Sequence, residues 1–481
     1  MSDVSGWDLS SARQNLIPDE VDRASIQEAI AEAQVRLTSQ QDSEADAQEL
    51  RSRIAVLSSL LAPIRRLPPK ILAVIFLHPV LHSSVSRGSI ASGLGGWGLD
   101  GRGLGPIPAV SSHWRATALS TPEFWALFTI TLPGNDNIAR LLELYLERSK
   151  PCTLAIEIRA PYPDPVHPGI LKQLLDSCGR WTTLHLSVNS SHLSLFSPVR
   201  GHLQSLENFD LHVSRMGTRE DLMKVVTSDA FELAPKLSLL KLSMADNVVP
   251  TLPLTQITTF TVSSWNTLSF ASECPNLFIL SIPQDLHSAT PLPRVVVTAP
   301  KLLTFPSMLE NLTAPNLEFL HIVAGRPLWT HSWFSSFIER SACRPHTLQL
   351  DEVVITVTDL LAILSLIPTV HSLIVRSLRP NAVTDKLLAR LTVTESSSSP
   401  VLLPVLTNLS LTGSYLFSNT ALLEMLESRV NFGQPIQRVK LQLTHRQFSE
   451  VELGRARAVQ RDAVLFSLKC LDVDKQYIRI I

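Results

Sequence analysis

Residues 314–322, APNLEFLHI, decide how this chain folds. Leu317, Leu320 and Ile322 form a triplet: an apolar residue, two variable positions, a second apolar residue, one variable position and a third. Side chains two apart on an extended chain share a face, so Leu320 and Ile322 point the same way from one short strand. Pro315 ends whatever precedes it, and the polar Asn316 turns the chain into the strand. The same preface stands as APKL at 234 and at 299 and as PNL at 275.

The triplet recurs as Leu206, Phe209, Leu211; Leu237, Leu240, Leu242; Ile257, Phe260, Val262; and Leu277, Leu280, Ile282. Further copies are Val370, Leu373, Val375; Leu406, Leu409, Leu411; Ile436, Val439, Leu441; and Leu468, Leu471, Val473, with weaker forms near Leu302 and Leu348. Copies lie roughly 15 to 36 residues apart, and the series resembles leucine-rich repeats. Each unit is expected to add one short strand to a parallel stack, with a return segment on the outer face. The returns at Thr218–Val226, after Thr358-Asp359 and after Asn419 carry helical spacing behind a capping residue. Met244–Gln256 holds Pro250 and Pro253 and is expected to return without a helix. The repeats are expected to begin at Trp181–Leu186, and TESSSSP at 394–400 reads as a loop between units.

Upstream, residues 63–77 read PIRRLPPKILAVIFL. Consecutive prolines fix φ and fit the first turn of a helix. Ile71, Leu72, Ile75 and Phe76 then concentrate on one face of a helix of about three turns. After a gap comes VSSHWRATALSTPEFW at 110–125. The pair L-P-P-x-I-L-x-x-I-F and V-x-x-x-W-R-x-x-A-L-S-T-P-x-x-W resembles the opening and ending of an F-box, in the form common in large fungal families. The segment L-L-x-x-x-L-x-R-S-x-x-x-x-L-x-I from Leu141 is again similar to the stretch directly after the F-box in those families. The sequence departs from the family at Ser111, where Cys is frequent.

The resemblance implies a fold of class α/β: an N-terminal tail and amphipathic helix over 1–61, a small all-α F-box over 62–130, and an irregular leucine-rich-repeat solenoid over 131–481. It implies that Leu67, Pro68, Pro69, Ile71, Leu72, Ile75, Phe76, Val110, Trp114, Leu119 and Trp125 bind a Skp-type adaptor and, through it, a cullin ligase core. The repeats would hold an unknown protein substrate, making the chain the substrate receptor of an SCF-type ubiquitin ligase in the cytoplasm or nucleus. In that role it positions a target and performs no chemistry of its own. The alternative is a non-catalytic leucine-rich scaffold unconnected to ubiquitin ligase.

The insert at 79–105 holds glycines from Gly88 to Gly105 and is expected to be a solvated loop. Its G-x-G-x-x-G at Gly96–Gly101 lacks the strand before and helix after that a dinucleotide site requires, so no cofactor is expected. His78 and His82 are separated by Pro79 and have no acidic or Cys partner nearby.

Ile30, Ala33, Leu37 and then Leu50, Ile54, Leu57, Leu61 form a helical stripe broken by a polar middle. It fits either one or two helices packed beside the next domain or weak self-association of residues 19–61 as a short coiled coil. The bulk properties narrow the class further. In 481 residues, Lys plus Arg total 42 against 43 Asp plus Glu, which gives no basic surface for nucleic acid or an anionic membrane. Five scattered cysteines form neither a C-x-x-C nor a disulfide pattern. No run approaches the roughly 20 apolar residues of a membrane span. No G-x-S-x-G, H-E-x-x-H or Walker loop occurs, so no catalytic site is expected.

Overall fold

Phe128 pairs with Ile156, Ile156 with Leu184, and Leu184 with Phe209, each fully buried and each on the next strand of a parallel ladder. The computed structural model in which this is seen describes residues 8–38, 44–85, 97–98, 107–214, 225–245, 248–283, 294–323, 329–377, 383–394, 401–433, 436–444, 448–462, 465–471 and 477–479. The chain is α/β, with N-terminal helices followed by parallel β-sheet. It divides into two compact units, Met1–Pro235 with Val249–Thr251 and Lys236–Val248 with Leu252–Ile481.

The first unit opens with α1 (Leu9–Arg13), α2 (Glu20–Thr38) and α3 (Glu44–Leu61). Ile26 of α2, Leu57 and Leu60 of α3, and Ala12 of α1 form a buried cluster flanked by Ile30, Val56 and Leu61. The apolar stripe read in the sequence is thus covered within the chain along part of its length. A 3-10 turn (Pro63–Arg66), α4 (Pro69–Val85), α5 (Ile107–Val110) and α6 (Ser112–Ser120) come next.

Strands β1 (Trp97–Gly98), β2 (Leu127–Thr131), β3 (Leu154–Ala160), β4 (Trp181–Asn189) and β5 (Asn208–Ser214) pair in that order, all parallel. Between them run α7 (Asp136–Arg148), α8 (Pro168–Asp176) and a 3-10 run at Ser190–Val199. Asn135 caps α7 by accepting the Ile138 N–H at 3.1 Å, and Pro168 opens α8 where a missing N–H costs nothing. Leu142 and Tyr145 of α7 and Ile170 and Leu174 of α8 are buried.

In the second unit the parallel strands are Leu239–Met244, Thr259–Val262, Ile279–Ser281, Lys301–Thr304, Phe319–Val323, Thr347–Asp351, Ser372–Ser377, Asn408–Gly413, Arg438–Thr444 and Leu465–Leu471. Tyr477–Arg479 closes this order antiparallel. Their middle apolar residues stand in one register: Leu240, Phe260, Leu280, Leu302, Leu320, Leu348, Leu373, Leu409 and Val439, none more than 2% exposed. The ladder places every triplet from Leu237 to Leu441 on this buried column. The spacing of column residues varies freely, from 18 positions between Leu302 and Leu320 to 36 positions between Leu373 and Leu409.

Several expectations are corrected. The register begins before Trp181, since Phe128 and Ile156 already occupy it; Trp125, Phe128 and Ile130 make the first triplet. At the far end Val439 pairs with Phe466 and Leu441 with Leu468. Leu468 therefore fills the third position of its unit and not the first, because the apolar alternation there runs unbroken and leaves the phase open to misreading. Val473 lies outside the described residues, as do 395–400 and 215–224; Val226 itself is in a strand, Val226–Ser228. Two helical returns are present as expected, Val357–Leu366 and Asn419–Asn431, capped one or two residues earlier than read, by Thr356 and Ser418. Pro79 does not end α4, which runs for 17 residues to Val85. Within the glycine-rich insert Trp97–Gly98 pairs with Phe128–Thr129. Residues 86–96 and 99–106, including Gly96, Asp100 and Gly101, lie outside the described residues.

Arginines tie successive returns together. Arg180 donates to the carbonyls of Cys152 at 2.7 Å and Leu146 at 3.1 Å, and Arg340 to those of Leu309, Glu310 and Leu312 at 2.8 to 3.1 Å. Arg429, with no exposed surface, donates to Leu391, Leu402 and Leu403 carbonyls at 2.9, 3.0 and 3.1 Å. Return segments end with carbonyls that have no intrahelical partner, and a planar fork with several donors serves two or three at once. Burial lowers the pKa of all three guanidiniums, that of Arg429 to about 10.

Candidate docking surface on the helical module

Pro68 stands just before α4 and Pro69 in its first position, and the Pro68 carbonyl accepts the N–H groups of Ile71 and Leu72 at 3.0 and 3.1 Å. The helix therefore starts directly at the double proline. Leu72 and Phe76, four apart, turn inward and are buried. The Phe76 ring lies 4.5 Å from that of Trp114 on α6 and 6.2 Å from that of Phe124. These contacts join the two sequence segments that resemble the ends of an F-box.

The apolar face read in the sequence is split: Ile71 and Ile75, beside the buried Leu72 and Phe76, and Val74 behind them are not covered by the described residues. Ile71, Val74 and Ile75 are 49%, 64% and 40% exposed. Spaced three and four apart, they form a continuous aliphatic stripe on the helix surface. Pro68 and Pro69 are exposed at the start of the same helix, and Val110 of α5 and Leu119 of α6 are exposed as well. Leu67 and Trp114 are half-buried, and the Leu67 carbonyl lies 3.3 Å from Nε2 of His113. His78 is exposed further along α4, while the His82 side chain lies outside the described residues.

Trp125 is buried, its Nε1–H donating to the Ala118 carbonyl at 3.1 Å, its ring against Tyr145 and under the Arg148 guanidinium at 4.6 Å. Leu72, Phe76 and Trp125 thus hold the module together from inside, and the surface a partner can touch is drawn from the others. Val74 was not singled out in the sequence, although its spacing from Ile71 carried the signal.

Ser111 caps α6: its hydroxyl oxygen accepts the Trp114 N–H at 3.2 Å. Ser111 is only 4% exposed, and its hydroxyl lies within 3.5 Å of Asn15 Oδ1. A serine at this point meets the needs of a helix N-terminus.

Two polar clusters sit among the apolar columns of the ladder. In the first unit Thr129, Glu157, His185 and Asp210 are in register across β2 to β5, all buried. Thr129 donates to Glu157 at 3.0 Å, Arg159 to Glu157 at 2.7 Å, and Nδ1 of His185 lies 3.2 Å from Asp210. In the second unit His321 Nε2 lies 2.8 Å from Asp351, Gln349 donates to the same carboxylate at 3.0 Å, and Arg376 stands 3.4 Å from it. Burial works to raise the Asp351 pKa, but the hydrogen bonds from His321 and Gln349 and the charges of His321 and Arg376 outweigh it, leaving it below the ordinary value. Thr129, Glu157, His185, Asp210, His321 and Gln349 occupy the variable position between the last two apolar residues of the triplet, and Arg159, Asp351 and Arg376 the position just after it; apolar spacing singles out neither.

Cys178, Cys274 and Cys343 are buried, and burial pushes the thiols of Cys274 and Cys343 up to about 12 and about 11. Such thiols stay protonated and unreactive near neutrality. Among the described residues no group of three or more His, Cys, Asp or Glu is placed to hold a metal ion, and no helix is long and apolar enough to cross a membrane.

No family model matches the chain, and no curated protein matches it.

Proposed function

We propose that this chain is a substrate-recognition subunit of an SCF-type ubiquitin ligase, with residues 62–130 docking a Skp-type adaptor and the parallel ladder serving as a leucine-rich-repeat solenoid that holds a protein target. The observation that carries the reading is the stripe of Ile71, Val74 and Ile75, left exposed on a helix whose Leu72 and Phe76 are already buried, directly after the exposed Pro68 and Pro69. Three branched aliphatics at helical spacing are a docking face for a partner helix. The ladder supports the second half, because strands added in sequence order are joined by return segments that can vary without disturbing the buried column.

The proposed role is positional. Holding a target near a charged carrier enzyme raises its effective concentration there, and the chain itself performs no bond-making step. In this reading the protein works in the cytoplasm or nucleus. Full-length protein mixed with purified Skp adaptor and cullin core should elute with both as one complex. If the adaptor is not retained at micromolar concentration, the ligase reading fails and the alternative of an unconnected leucine-rich scaffold takes its place.

A further inference from the structure

The turn from Ala12 to Asn15 lies between the two halves of the helical module and bonds to both. On one side the Arg65 guanidinium, in the turn leading to α4, donates to the Ala12 carbonyl at 2.7 Å and to Asn15 Oδ1 at 3.4 Å, while Asn15 Nδ2 donates to the Arg65 carbonyl at 3.3 Å. On the other side Ser112 Oγ, in the first turn of α6, donates to the Gln14 carbonyl at 2.9 Å, and Ser111 Oγ donates to Asn15 Oδ1 at 3.5 Å. Arg65 is further anchored by the Ser59 carbonyl at 2.5 Å and is itself 7% exposed. Asn15 adopts φ of 60°, a left-handed conformation that Asn tolerates better than most residues.

We infer that the Ala12–Asn15 turn is a bracket that fixes the start of α6 relative to the Pro63–Pro68 lead-in, so that the docking face formed by α4, α5 and α6 has one geometry before any partner arrives. Asn15 and Ser112 are its positioning residues. The role rests on the docking reading above but concerns a segment that neither F-box-like stretch contains. Its logic is preorganisation: a face whose elements are already in place loses less freedom on binding. Coupling runs through Ser111, whose hydroxyl both donates to Asn15 and accepts the Trp114 N–H.

The test uses the full chain with Asn15→Gly and Ser112→Ala together. Glycine keeps the left-handed backbone and removes only the side-chain bonds, and Ser112 is exposed. Losing these bonds should weaken binding of the purified Skp adaptor by about tenfold, the scale of one to two net hydrogen bonds. Amide exchange at Trp114 should quicken while exchange in the strands Phe319–Val323 and Thr347–Asp351 stays unchanged. Asn15→Asp, which retains Oδ1, should restore most of the affinity in the Ser112 background. Wild-type affinity together with wild-type exchange at Trp114 overturns the inference. If unmodified protein does not bind the adaptor, the ligase reading has failed separately, and exchange at Trp114 alone then decides the bracket: quickened exchange upholds it, unchanged exchange overturns it.

Discussion

Replacing Ile75 by Asp should weaken adaptor binding by about 100-fold or more and leave the fold intact. Complete burial of a Val or Ile side chain is worth ~1.5–3 kcal/mol. Scaled by the 49%, 64% and 40% still exposed at Ile71, Val74 and Ile75, the stripe offers about 3 kcal/mol to a partner, close to 1 kcal/mol per residue. An aspartate at 75 forfeits its share and adds a carboxylate that must lose water against an apolar surface, which costs at least ~2 kcal/mol more. Each 1.4 kcal/mol is about tenfold in affinity, so the sum is about 100-fold. Calorimetric titration of full-length protein with purified adaptor reads the constant, and thermal unfolding checks the fold. Val35→Asp on α2, at a site 68% exposed and away from the stripe, is the control and should bind as the unmodified protein does. Binding of the Ile75→Asp protein within threefold of wild type would refute the claim that this stripe is the contact surface.

Arg429→Met should destabilise the second unit by ~2–4 kcal/mol in chemical denaturation, because the carbonyls of Leu391, Leu402 and Leu403 lose a shared donor at once, partly offset by removal of a buried charge; a variant at least as stable as wild type would show the clamp to be dispensable. Ser111→Ala should cost about 1 kcal/mol through the lost α6 cap, seen as a lower melting temperature. Burial pushes the Tyr145 phenol up to about 12, so the folded state holds this proton more tightly than the unfolded chain does. The associated stability, up to about 3 kcal/mol, is fully present below pH 10 and lost as pH rises towards 12; Tyr145→Phe should flatten that part of the alkaline denaturation curve. Thiol alkylation of native protein at pH 8 should reach Cys152, which is partly exposed, before Cys274 and Cys343, with peptide mass spectrometry giving the order.

The ladder was largely legible because a parallel strand imposes a strict period of two, so that Leu320 with Ile322 or Leu409 with Leu411 can face the core in only one phase. Phase was lost where the alternation had no clear beginning, as at Phe466 to Cys470, and the first triplet was hidden because Trp125 also belongs to the stretch resembling an F-box ending. At the helical module spacing gave both faces of α4 at once, and only burial separates Phe76 from Ile75. The arginine clamps and the bracket at Asn15 left no trace in the pattern, since their partners are main-chain carbonyls, which every residue supplies alike.

Because strands join the sheet in the order of the chain, each unit can be edited locally. A return can lengthen, as between Leu373 and Leu409, or shrink, as between Leu302 and Leu320, without shifting any residue in the buried column. Duplication or loss of one whole strand-and-return module would likewise leave its neighbours a matching edge to join. Such a chain can diversify by copying and trimming its own parts.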